Sequence, residues 1–197
     1  MNSRRNFIKT TGKGVALAAV TPGIITQTAF AEQPQKNIRI GIIGAENSHT
    51  IGFGKMFNTD KKFPGMEVKY VWGETDEFAK NAMEKGNIPN QVKDPNEMLG
   101  KIDALIVDHR HPKYHLEPAI PFIKAKIPTF IDKPFCYRAA EGQEFLKLAQ
   151  KMGTPVTSYS SIAHSDTTFD LKEQVKNMEG ISQVICTGPG DFDSQYG

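Results

Sequence analysis

From residue 37 onward the chain alternates short apolar runs with amphipathic segments, in a rhythm that predicts strands and helices in turn. Ile38 to Ile43 is a nearly continuous apolar run and reads as a strand buried on both faces. His49 to Asn58 carries Ile51, Phe53, Met56 and Phe57 at mixed spacing and predicts a helix that runs through Gly52 and Gly54; residues 61–65 read as a loop. Met66 to Trp72 predicts a second strand closed by Gly73. The acids Glu74, Asp76 and Glu77 then open a helix that continues through Phe78 to Lys85 and stops at Gly86-Asn87.

Asp94-Pro95-Asn96-Glu97 combines a cap, a first-turn proline and an acid, and opens a short helix to Leu99. Ile102 to Val107 has the composition of a central parallel strand. His115 to Ala125 predicts a helix despite Pro118 and Pro121, and Pro128 to Ile131 a fourth strand. A helix follows over Ala139 to Met152, with Phe145, Leu146 and Ala149 on one face and Gly153 just past its end. Pro155 to Ser160 predicts a fifth strand, Leu171 to Met178 a helix and Ile181 to Cys186 a strand, before a glycine-rich end over residues 187–197.

Strands and helices in this alternation predict an α/β fold with a doubly wound parallel sheet. Right-handed crossovers place all strand C-termini along one edge. Four polar clusters meet there: Gly44 to His49, Gly73-Glu74, Asp108 to His115, and Asp132-Lys133-Pro134.

The first thirty residues stand apart from this pattern. Ser3-Arg4-Arg5-Asn6-Phe7-Ile8-Lys9 has the form of a twin-arginine export signal and leads into a modestly apolar stretch ending at Ala29-Phe30-Ala31. The expected organisation is therefore a signal peptide over 1–31, a nucleotide-binding domain over 32–160, and the beginning of a second domain over 161–197. The expected location is the periplasm, and the export machinery is an expected partner. Thr21, Pro22, Gly23, Thr26, Gln27 and Thr28 interrupt the apolar stretch too often for a spanning helix.

Residues 1–31 hold Arg4, Arg5, Lys9 and Lys13 and no acid, so their removal turns a formal charge of +2 into 20 basic against 22 acidic residues. That balance gives no electrostatic reason to expect nucleic acid as a partner. Apolar and charged fractions of 39% and 23% fit a globular chain with one good-sized core. Cys136 and Cys186 are the only cysteines; they could pair in an oxidising compartment, but a free buried thiol is the more common state.

The stretch Ile40-Gly41-Ile42-Ile43-Gly44-Ala45-Glu46-Asn47-Ser48-His49 has the strand, turn and helix start of a Rossmann first crossover. Laid on Gly44, the Gly-x-Gly-x-x-Gly fingerprint puts Glu46 and His49 at its second and third glycine positions. Gly44, Ala45, Glu46, Asn47, Ser48 and His49 are thus candidate pyrophosphate ligands through their backbone N–H groups. Glu46 adds a negative charge where phosphate is expected, so either its side chain points away or the dinucleotide is lost.

Glu74 reads either as an acid that accepts from an adenosine ribose, favouring NAD over NADP, or as a first-turn helix acid. Trp72 reads as a packed strand residue. Asp108, His109, Arg110, His111 and His115 form the densest ionisable cluster. Alternation places His109 and His111 on one side of an extended segment, but no cysteine or carboxylate stands at ligand spacing and no metal is expected. His164, just after the fifth strand, reads as structural. Lys133 is the candidate catalytic residue. An ammonium at a strand end, fixed by Pro134 and Asp132, can donate to a substrate hydroxyl and stabilise a developing alkoxide.

Together these segments resemble the Gfo/Idh/MocA oxidoreductases. The resemblance rests on Ile40 to Gly44 with His49, on Asp103-Ala104-Leu105-Ile106-Val107 leading to His115, and on Ile131-Asp132-Lys133-Pro134-Phe135. The last looks like the family's Glu-Lys-Pro motif with Asp for Glu. The resemblance implies a Rossmann domain followed by an α+β domain that covers the substrate and mediates oligomers. In this chain only the opening of that second domain would be present. It also implies NAD or NADP as cofactor, a sugar-like small-molecule substrate, and Lys133 beside the nicotinamide. Asp108, His109, His111 and His115 would lie near the cofactor, with Asp132 and Pro134 flanking the lysine. The expected activity is hydride transfer to or from a secondary alcohol of a sugar or cyclitol. Alternatives are an NAD-assisted glycosidase of the same fold and a non-catalytic small-molecule binder, which Glu46 favours.

Overall fold

The computed structural model describes residues 37–185. The expected signal segment, Cys186 and the glycine-rich end lie outside the described residues, so the cysteine pairing and the signal have no structural counterpart here. Six strands form one sheet in the order β3-β2-β1-β4-β5-β6. They are β1 Ile38–Ile43, β2 Met66–Trp72, β3 Asn90–Gln91, β4 Ala104–Val107, β5 Thr129–Ile131 and β6 Val156–Thr157. Every neighbouring pair is parallel. The winding direction reverses between β1 and β4, so the crevice at their C-terminal ends is the topological switch point of the doubly wound sheet.

The continuous apolar strands are continuous because both faces are covered. Ile40, Ile42 and Ile106 pack with Val68, Val71 and Ala82 in one layer. Their neighbours Ile43, Leu105 and Val107 pack with Ile131, Phe122, Ile123 and Phe145 in the other. Helices α1 Ser48–Gly54 and α2 Asp76–Gly86 cover the first face; α3 Ile120–Lys124 and α4 Ala139–Met152 cover the second. Phe122 is fully buried, and truncating such a ring to Ala costs about 3–5 kcal/mol.

Helix α2 has the cap expected of its sequence: Thr75 accepts from the Phe78 N–H, and Asn87 closes the other end in the left-handed conformation. The Asp94/Glu97 capping box also forms, around a 3₁₀ turn over Pro95–Met98.

Five features differ from the pattern reading. The helix expected over His49 to Asn58 is α only to Gly54 and continues as a π turn over Lys55–Thr59. The helix expected over His115 to Ala125 is a 3₁₀ turn at Glu117–Ala119 followed by the short α3, because Pro118 and Pro121 supply no backbone N–H; a separate 3₁₀ turn at Pro112–Tyr114 precedes it. Leu146 is 48% exposed; the buried face of α4 is Gly142, Phe145 and Ala149. Strand β3 is two residues long, too short to carry a period, and makes the strand over Val156–Thr157 the sixth rather than the fifth. Lastly, helix α5 Asp166–Lys176 begins five residues before the expected Leu171, capped by Ser165, and 181–185 form no strand. Ile181, Val184 and Ile185 are exposed without a ladder partner among the described residues, and an isolated strand is not stable in water.

Candidate functional site

The sheet's hydrogen bonding runs one residue past the strands and brings the polar clusters into line. Gly44 N–H donates to the Trp72 carbonyl (3.0 Å), Asp108 N–H to Ile43 (2.9 Å) and Asp132 N–H to Val107 (2.8 Å). Gly44 leaves β1 with φ +118°, and a Cβ there would stand 2.7 Å from both Asp108 Oδ1 and the His109 backbone nitrogen. Only glycine meets both demands, of conformation and of space.

The turn then caps α1. The side chain of Asn47 accepts from the His49 N–H (3.1 Å), and its amide reaches Asp132 Oδ2 at 3.3 Å. His49 Nδ1 lies 2.6 Å from the same Asp132 oxygen. Thr50 donates its hydroxyl to Asp108 Oδ2 at 2.8 Å. The first turn of α1 is thus tied to the ends of β4 and β5 by two buried carboxylates. Thr50 escaped the sequence reading, although its place beside His49 in a first helical turn was the available signal.

Glu46 is exposed, and its carboxylate lies 3.4 Å from Arg110. Glu74 turns back over the loop. Its Oε2 accepts from the N–H groups of Ala45 (2.9 Å) and Glu46 (3.0 Å), and its Oε1 lies 2.8 Å from His109 Nδ1. Burial pushes the Glu74 carboxyl up, but His109 and the N–H groups of Glu74 and Ala45 outweigh it and hold the group below its ordinary range. Asp108 behaves oppositely. Burial drives it well above the usual carboxylate range, against the Thr50 hydrogen bond and with the charges of Asp132 and Glu74 adding to the rise.

His115 is fully buried, and its Nε2 meets the His109 carbonyl at 2.7 Å. Burial lowers it from the ordinary histidine value, opposed by that carbonyl, and its packing makes it a structural ring. His109 and His111 both lie beside Tyr114 but serve different partners: His109 pairs with Glu74, while His111 Nδ1 accepts from the Lys113 N–H. Among the described residues no group of three or more His, Cys, Asp or Glu side chains is placed to hold a metal ion. Trp72 packs at the strand end, donating to the Lys93 carbonyl (3.1 Å) and meeting His109 edge-on.

Lys133 is half-buried directly after Asp132, and the Lys133–Pro134 bond is cis. Ser48 and Pro134 are exposed, and the Pro134 backbone faces the His115 ring. Beyond Pro134 lies a cleft of about 470 Å³ lined by His111, Lys113, Tyr114, Tyr137, Arg138 and Glu141. Tyr137 and Arg138 carried no sequence signal, since only the adjacency of the β4 and β5 ends brings them to His111.

The profile of an oxidoreductase family with an NAD-binding Rossmann fold, that of Gfo/Idh/MocA, matches residues 38–160. The chain belongs to the Gfo/Idh/MocA family. No curated protein sequence matches it. Among solved structures it is similar to a probable dehydrogenase from Thermotoga maritima, with 23% identity and a TM-score of 0.61 over 71% of this chain and 41% of that one. A scyllo-inositol dehydrogenase from Lactobacillus casei, solved with NAD(H) and scyllo-inositol, aligns at 15% identity and TM-score 0.61 over 72% of this chain and 41% of that one. A UDP-N-acetylglucosamine 3-dehydrogenase from Acidithiobacillus ferrooxidans aligns at 17% and 0.59, covering 70% and 41%. Identities this low establish the fold, and the chain spans about two-fifths of the length of these structures.

Proposed function

We propose that this Gfo/Idh/MocA chain is the nucleotide-binding part of an NAD(P)-dependent oxidoreductase acting on a secondary alcohol of a sugar or cyclitol. The observation that carries the reading is the convergence of the Gly44 turn, Asp108, Asp132 and Lys133 on one switch-point edge. The turn suits a dinucleotide in its backbone, since Gly44 brings two consecutive N–H groups, of Ala45 and Glu46, to bear on a single anionic oxygen. Ala45, Glu46, Asn47 and Ser48 would hold the pyrophosphate through the backbone. His109 and His111 would border the nicotinamide half, with the buried His115 ring supporting the loop behind them.

When bound, the nicotinamide supplies the hydride acceptor or donor. Lys133 moves the hydroxyl proton, and Asp132, fixed by His49 and Asn47, anchors the strand end that carries it. The names of the scyllo-inositol and UDP-N-acetylglucosamine dehydrogenases support a polyol substrate. Residues from 161 onward belong, in this reading, to the start of a second domain through which the protein oligomerises. The Arg4-Arg5 segment directs export to the periplasm by the twin-arginine route, which carries folded protein and so allows export with cofactor in place.

The test is purification of the protein extended through its second domain, followed by absorbance, fluorescence and mass analysis of any nucleotide it retains. Absence of both retained and added dinucleotide would sink the proposal. A non-catalytic binder is the second reading, favoured by Glu46 at the fingerprint's second glycine position and by the engagement of the loop amides with Glu74. Lys133→Ala separates the two: an enzyme loses about 10²–10⁴-fold in turnover, whereas a binder keeps its ligand affinity.

A further inference from the structure

Glu74 stands where a ribose-binding acid is expected, yet both of its oxygens are engaged by the protein itself. Oε2 accepts from two successive loop N–H groups, Ala45 at 2.9 Å and Glu46 at 3.0 Å. Oε1 is shut off from water against His109 Nδ1 at 2.8 Å, a close contact rather than a well-aligned hydrogen bond. The His109 side chain is only 9% exposed and is held between Trp72 (5.6 Å between ring centres) and Tyr114 (5.9 Å). Two successive N–H groups converging on one anionic oxygen is how a turn grips phosphate. Here the oxygen belongs to the chain.

We infer that Glu74 is an internal competitor for the phosphate position of the β1–α1 loop, its carboxylate occupying the two N–H groups that a diphosphate would use. The inference rests on the dinucleotide reading only for the identity of the ligand. A phosphate oxygen and the Glu74 carboxylate cannot share the Ala45 and Glu46 N–H groups, and two anions at that separation repel each other. Binding of a diphosphate through this loop therefore requires Glu74 to leave, and the apparent affinity falls by the fraction of molecules in which it has left. His109 and the loop amides stabilise the engaged state. The side chain at 74 thereby sets how tightly the loop takes any diphosphate, independently of the sugar that follows it.

Trp72 is the only tryptophan in the chain and packs against His109, so its emission reports on this contact. The experiment titrates the 197-residue chain and its Glu74→Ala and Glu74→Gln variants with inorganic pyrophosphate and, separately, with NADH, following Trp72 fluorescence. Circular dichroism melts establish that each variant is folded. Glu74→Ala is expected to bind pyrophosphate at least about tenfold more tightly than the parent. Glu74→Gln, which keeps an acceptor but loses the charge, is expected to gain less, about threefold, and serves alone if the alanine variant does not fold. Unchanged or weaker pyrophosphate binding in the folded variants overturns the inference. So does a loss of NADH affinity with pyrophosphate unaffected, which would make Glu74 a ribose ligand and leave the oxidoreductase reading intact. A gain for pyrophosphate with no NADH binding by any variant upholds the competitor and removes the dinucleotide instead.

Discussion

Nδ1 of His49 lies 2.6 Å from Oδ2 of Asp132 and joins the first turn of α1 to the end of β5, across the intervening end of β4. The histidine is two-fifths exposed and the aspartate buried, so solvent screening leaves the pair a modest net value. A double-mutant cycle with His49→Gln and Asp132→Asn, read by urea unfolding, is expected to give a coupling of about 0.5–1.5 kcal/mol. A coupling of zero would mean that the contact does not hold α1 in place.

Gly44 combines a positive φ with a neighbouring backbone that leaves no room for a Cβ. Gly44→Ala is expected to cost about 2–4 kcal/mol, the sum of backbone strain and displacement of the Asp108-His109 segment. Thermal unfolding measures it. A variant as stable as the parent would contradict this account of the turn.

Asp108 is fully buried with its carboxyl pushed upward by burial. Because the folded state resists its ionisation, the group's contribution is whole below the unfolded value and is lost as pH rises through the folded one. Asp108→Asn keeps a partner for the Thr50 hydroxyl and cannot ionise. The variant should gain about 1 kcal/mol or more relative to the parent at pH 7, with little or no gain near pH 4. Denaturant midpoints at the two pH values provide the measurement; an equal difference at both would show that ionisation plays no part.

Gly54 lies against Gly86, and a Cβ on Gly54 would stand 2.7 Å from the Gly86 Cα. Helices α1 and α2 therefore meet backbone to backbone. Gly54→Ala, favourable for an isolated helix by about 1 kcal/mol, is expected to destabilise the protein by about 1–3 kcal/mol. Gly52 has open space at the same test, so Gly52→Ala serves as the control and is expected to be neutral or stabilising.

Much of the fold was legible along the chain. Ile38 to Ile43, Met66 to Trp72 and the helix over Ala139–Met152 carry their period and their stop signals locally, in Gly73 and Gly153. What failed had non-local causes. The Asn90–Gln91 strand exists only because β2 offers it an edge, and Leu146 faces solvent because packing chose a neighbouring stripe of the same helix. The candidate residues at the sheet edge were named from their positions after strands. Their partners were not: Glu74 with the loop amides, Asp132 with His49, and Asp108 with Thr50 join residues 28 to 83 positions apart.

The sequence by itself determined the alternation of strands and helices, the edge on which the polar clusters gather, and the family that Ile40 to Gly44 and Asp132-Lys133-Pro134 announce. Period, caps and turn residues act over a few positions and survive without the rest of the chain. Only the tertiary structure decided what fills the β1–α1 loop. Glu46, the local misfit in the fingerprint, is exposed and points to Arg110, while Glu74 arrives from the end of the neighbouring strand to take the two N–H groups. Hydrogen bonds between distant segments depend on which strands the sheet sets side by side, and no local pattern encodes that.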